Sequence, residues 1–132
     1  MNKVLDYAQL LCEVLRTNYQ SYAIEQHRDA IYKADVGDVG SVNYHRQQID
    51  KLCEGEDVAD FYIDTLRKYY KIVMNHHNQR SVHCFIDKET GDVFKSSSWS
   101  APAKGVRFSL LDDNSRVECY RRADWASSYL YK

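Results

Sequence analysis

The sequence predicts an α+β fold in which N-terminal helices pack on a small antiparallel sheet formed by the C-terminal half. Two observations carry this. Apolar residues recur at helical spacing up to about residue 67, and beyond Lys68 short runs rich in β-branched and aromatic residues take over. The length of 132 residues suits one domain, residues 1–132, mainly helical over 1–67 and a β-hairpin or meander with a functional loop and a short C-terminal helix over 68–132.

The first helix begins after Asn2, a natural N-cap, with Asp6 near the positive end of the helix dipole and Val4, Ala8, Leu11, Leu15 and Tyr19 along one stripe. A second helical piece is expected from Tyr22 to Lys33, before Gly37 and Gly40 break the pattern and form a hinge. Asn43 or Ser41 is expected to cap a short helix through Tyr44, Gln48, Ile49 and Leu52 that ends at Gly55. Val58, Phe61, Tyr62 and Leu66 repeat the helical period and predict another helix, packed beside the first on one face of the sheet. The runs YYKIVMN, SVHCFID and GDVFKS then read as three antiparallel strands, with Gly91 supplying the positive φ for a tight turn over Asp87–Gly91. After Pro102 come a loop, a short strand at Val106–Leu110, and a helix over Ser115–Arg122.

Composition narrows the function classes. Eighteen basic against nineteen acidic residues leave a net charge of −1, which gives no global field for wrapping duplex DNA, so a nucleic-acid partner is not expected. Cys12, Cys53, Cys84 and Cys119 are widely spaced with no C-x-x-C pair, and the amino terminus reads as amphipathic helix rather than signal peptide. A reducing cytoplasm is therefore expected. No apolar run approaches the roughly 20 residues of a membrane span, so no membrane association is expected. Eleven tyrosines offer apolar faces with polar tips, which suits subunit contacts, and a homo-oligomer is expected.

Chemistry-bearing constellations are sparse. His76, His77, His83 and Cys84 match no zinc spacing, and neighbouring His83 and Cys84 on a regular strand face opposite sides, so neither metal nor cysteine catalysis is expected. Asp112–Asp113 and Glu56–Asp57 fit turn and helix-start positions. Phosphate-binding and dinucleotide-binding glycine loops are missing, so no cofactor and no enzymatic activity are expected, although a hydrolase assembled from distant residues stays open. The segment Phe94–Arg107 differs. Trp99 can stack on a base, Lys104 and Arg107 can reach phosphates, and Ser96, Ser97 and Ser98 offer hydroxyls. The competing reading makes Trp99 a core plug beside Phe85 and leaves Lys104 and Arg107 in solvent.

Residues 80–112 and 123–132 resemble small proteins carried by tailed phages, in which a hairpin ends in a GDVxKxxSWxAPAKGxR element. Ser98, Trp99, Ala101, Pro102, Ala103, Lys104 and Arg107 match it. In size and aromatic-plus-arginine style the chain is similar to the anti-Thoeris sponges, which capture cyclic ADP-ribose-type immune signals. That similarity implies binding without turnover in the host cytoplasm by an oligomer, with Phe85 or Trp99 on adenine, Arg107, Lys104 and Arg80 on pyrophosphate, and Ser98 nearby. An alternative is an anti-CRISPR-like inhibitor that binds a host defence protein directly through a tyrosine-rich surface. A minor nucleic-acid binder using the C-terminal basic cluster is a third.

Overall fold

The computed structural model describes residues 2–131 and confirms the α+β class. Three α-helices, α1 (Lys3–Lys33), α2 (Val39–Cys53) and α3 (Asp113–Arg122), combine with five strands. These are β1 (Asp60–Thr65), β2 (Tyr69–His76), β3 (Gln79–Asp87), β4 (Asp92–Lys95) and β5 (Phe108–Ser109), ordered β1-β2-β3-β4-β5 with every neighbour antiparallel. The sheet is a plain meander.

Asn2 caps α1 as expected, accepting from the Leu5 amide at 3.0 Å, while its own amide donates to the Tyr70 hydroxyl at 2.6 Å. With no Gly or Pro to interrupt it, the helix does not stop near Tyr19 but runs 31 residues, about 46 Å. Its fully buried residues all lie between Val4 and Tyr19, which pack on the inner face of the sheet. From Tyr22 onward α1 is accompanied by α2, and the two form a helical arm whose turn uses Gly37 at φ 97°. Ion pairs Asp29–Lys33 and Glu25–Arg28 line the exposed side of that arm. The cap of α2 is Asp38, bonded to the Ser41 amide at 3.1 Å, rather than Ser41 or Asn43, so Gly40 lies inside the helix. Gly55 ends it at φ 86° as the sequence indicated.

The predicted Val58–Leu66 helix is instead β1. Phe61, Ile63 and Thr65 pair with Met74, Ile72 and Tyr70 across β2, and Phe61 is completely buried against the core. Four apolar residues at helical spacing fit a short strand equally well, and edge pairing decides in favour of the β-branched and aromatic content.

Between β2 and β3 the register shifts at Ile72/Val73, so His83 is the extra residue of a bulge. The bulge turns His83 and Cys84 to the same side. His83 meets Phe61 edge-on and shares a 2.6 Å hydrogen bond with the Tyr129 hydroxyl, while Cys84 joins the same core. The expectation that these neighbours face opposite sides is thus corrected. Burial pushes the Cys84 thiol well up and holds His83 down at about 4, the reverse of what a thiolate–imidazolium pair requires. The C-terminal segment closes this side, with Trp125 packed on Tyr19 and Tyr22, and the Tyr120 hydroxyl donating to the Tyr7 carbonyl at 2.7 Å.

At the β3–β4 turn Asp87 accepts from the Glu89 and Thr90 amides, and Gly91 sits at φ 74° with room for no side chain, since a Cβ there would lie 3.0 Å from Leu111 Cγ. Gly91→Ala is expected to destabilise the protein by about 1–3 kcal/mol, read as a lower urea midpoint at unchanged slope.

His83 generates a second prediction. Its imidazole titrates near 6.5 in an unfolded chain and at about 4 in the fold, so between these values the unfolded state binds more protons. Stability should fall as pH drops from 6.5 to 4, by up to about 3 kcal/mol from this residue. His83→Gln should flatten that part of the urea-midpoint profile; an unchanged slope contradicts the assignment.

Candidate functional site

The outer face of the sheet, away from α1, carries its own apolar patch. In register on that face lie Lys71 opposite Phe85, Phe85 opposite Phe94, and Tyr62 opposite Val73. Tyr69 packs edge-on against both Phe85 and Phe94, with ring centroids 5.7 and 6.2 Å away. Val73 and Phe85 are fully buried, so something must cover this face.

The chain between β4 and β5 contributes to that cover through Trp99, whose ring lies over Lys71. Ser96 bridges Pro102, the Ser97 and Ser98 amides donate to the Ala101 carbonyl, and the Ala103 amide donates to the Lys95 carbonyl at 2.7 Å. These bonds make a tight turn with Trp99 near its apex. The ring of Trp99 lies over Lys71, 3.6 Å from Nζ to the ring centroid. Lys71 is only 3% exposed, whereas Trp99 keeps 49% of its surface open. The indole thus covers a cation while about half of the residue's surface stays open.

Lys71 is the unusual member. Among the described residues it has no carboxylate within 4.0 Å, although Asp64 sits across from it in register, and the indole is its charge partner. A cation–π contact contributes about 0.5–2 kcal/mol, well short of what a buried ammonium gains from a carboxylate with full hydrogen bonding. The site therefore holds positive charge in a weakly solvated setting, under a half-open aromatic plate.

The six residues expected to bind a ligand divide among different tasks. Trp99, Ser98 and Lys104 are exposed and belong to one loop. Ser98 Oγ accepts from the Ser100 amide. Phe85 has no exposed surface and packs against Tyr69 within the sheet face, so its ring has no face to offer adenine. Arg107 is a brace: its guanidinium donates to the carbonyls of Leu130 at 2.7 Å, Gly105 at 3.0 Å and Lys104 at 3.2 Å. Gly105, at φ 99°, makes room for it, because a Cβ there would stand 2.6 Å from Arg107 Nη1. Arg80 lies on the same strand as Phe85 but five residues away, roughly 16 Å along β3, and does not join the loop. The sequence reading missed Lys71, whose place inside an apolar strand run was the available signal, and it missed a second polar grouping in the helical arm.

That grouping lies in a groove of about 210 Å³ lined by Tyr19, Ala23 and His27 of α1, Tyr44, Gln48 and Leu52 of α2, and Asp57, His76 and His77. The two helical rows each follow i, i+4, i+8 spacing, so the groove runs about 12 Å between the helices. At one end Tyr19 bonds His76 at 3.0 Å, and burial, with help from His77, holds the His76 imidazole below its ordinary value against Asp57. At the other, His27 meets His45.

The fold and these sites define a small α+β protein with an antiparallel meander covered on one side by helix and, in part, on the other by its own loop. The chain belongs to the family of unknown function DUF7717, whose profile matches residues 1–132. No curated protein and no solved structure matches it. Among the described residues no helix is long and apolar enough to cross a membrane.

Replacing Lys71 with Met should free the indole from its cation. In a Trp125→Phe background, which leaves Trp99 as the single tryptophan, selectively excited at its red absorption edge, Lys71→Met is expected to raise acrylamide quenching of Trp99. Unchanged quenching would mean that Lys71 does not hold the ring.

Proposed function

We propose that the protein binds an anionic, planar ligand of the nucleotide class and sequesters it without turnover. The observation that carries this reading is Lys71, a nearly buried cation with an indole for its charge partner, directly beneath the half-exposed Trp99. In this reading the base stacks on the open surface of Trp99, the Lys71 charge beneath the ring draws the anion, and Lys104 with the Ser98 hydroxyl contacts phosphate. Arg107 and Gly105 hold the loop in shape. Such a division makes the loop rigid before a ligand arrives, which limits the ordering entropy of binding.

In this reading the ligand is a cyclic ADP-ribose-type immune signal and the protein acts in the host cytoplasm as a homo-oligomer; similarity in size and aromatic-plus-arginine style to the anti-Thoeris sponges supports it. Sequestration by mass action requires tight binding, and each tenfold in affinity corresponds to about 1.4 kcal/mol of contact energy. A second reading, inhibition of a host defence protein by direct contact, is favoured by the far end of the helical arm, where Tyr32, Val36, Val39 and Tyr44 are all exposed.

The test is to incubate the purified chain with a panel of cyclic nucleotide and cyclic ADP-ribose signals, remove unbound compound, heat the protein and identify what is released by mass spectrometry. The reading expects one intact compound from the wild type and none from a folded Trp99→Ala variant. A degraded compound would make the protein an enzyme. An untouched panel would favour the protein-binding reading.

A further inference from the structure

His27 on α1 and His45 on α2 approach each other through their Nδ1 atoms, 2.8 Å apart. Both residues are half-buried, and the Tyr44 ring packs against them, with centroids 5.0 Å from His45 and 6.4 Å from His27. One proton at most occupies the space between the two nitrogens, so one ring donates and the other accepts. Two ring nitrogens from separate helices therefore converge on one point.

We propose that His27 and His45 form a binding site for a divalent transition metal of the imidazole-preferring class, such as zinc or copper, bridging the two helices of the arm. Metal–nitrogen bonds of about 2.0–2.1 Å at a near-tetrahedral angle place the two nitrogens roughly 3.3 Å apart. The pair thus needs to open by about half an ångström, a small shift for two helices joined by a turn. On binding, the ring that donates moves its proton from Nδ1 to Nε2. Both imidazoles stay neutral, both Nδ1 lone pairs go to the metal, and no net proton is lost.

Among the described residues no group of three His, Cys, Asp or Glu side chains is placed to hold a metal ion. The site is accordingly two-coordinate from the protein, with water in the remaining positions, and its affinity should be moderate. His76 and His77, whose rings lie 4.0 Å apart at the β2–β3 turn, are the natural control, since His76 is already engaged by Tyr19.

The experiment titrates the full, tag-free chain with zinc by calorimetry and with copper(II) by electron paramagnetic resonance. One ion per chain is expected, with copper hyperfine structure from two nitrogens. His27→Asn and His45→Asn should each abolish saturable binding with an unchanged circular dichroism spectrum, while His77→Asn should retain it. Absence of saturable binding in the wild type overturns the proposal. So does binding that survives both arm variants, or that His77→Asn removes. Where an arm variant fails to fold, the His77→Asn chain still decides: retained binding with a two-nitrogen copper signal supports the proposal, and lost binding overturns it.

Discussion

An antiparallel sheet whose central strands are apolar on both sides must be covered twice, and that constraint organises the molecule. The inner residues Phe61, Tyr70, Ile72 and Ile86 are closed over by the first half of α1 together with the C-terminal segment around Tyr129 and Leu130. The outer residues Val73 and Phe85 are equally buried, yet neither belongs to the core that α1 closes. The chain's own β4–β5 loop contributes to the outer cover, braced at its base by Arg107 and laid over Lys71 through Trp99. A side chain recruited to cover a sheet is thereby held at the surface with half its area open. Structural need and a half-open aromatic plate coincide in one residue.

The same argument explains why the arm differs from the body. Beyond Tyr19, α1 buries no residue fully and α2 only Leu52, so the arm is held by paired helical rows rather than by a core, with ion pairs supporting α1 along its own length. Polar contacts matter more in such a setting, and the His27–His45 and Tyr19–His76 pairs, with Gln20 donating to the Leu52 carbonyl, link the arm's helices to each other and to the β2–β3 turn. An element with few buried apolar contacts opens at lower free energy than the core does.

Much of the fold was legible in the sequence because local signals were strong. Asn2 as a cap, the strands around YYKIVMN and SVHCFID, the Gly91 turn and the Gly55 stop all follow from near neighbours in the chain. The errors arose where long-range pairing decides. Residues 58–66 satisfy both periods, and only their partners in β2 make Asp60–Thr65 a strand. The bulge that places His83 beside Cys84 on one side is invisible to strict alternation. The site was partly legible in the same sense. Trp99, Ser98 and Lys104 do share a loop, but Phe85 is committed to the sheet face and Arg107 to bracing the loop, and Arg80 is separated by most of a strand. Lys71 and the His27–His45 pair depend on tertiary contacts that no spacing rule encodes.

The central claim is that the open surface of Trp99, backed by Lys71, is where a planar anion binds. The most direct measurement is Trp99 emission in a Trp125→Phe chain, titrated with the compound that the protein retains. Saturable quenching at the retained compound's own dissociation constant, weakened by Lys71→Met, is the predicted result. A compound held tightly while Trp99 emission stays unchanged would contradict the account and place the ligand elsewhere on the molecule.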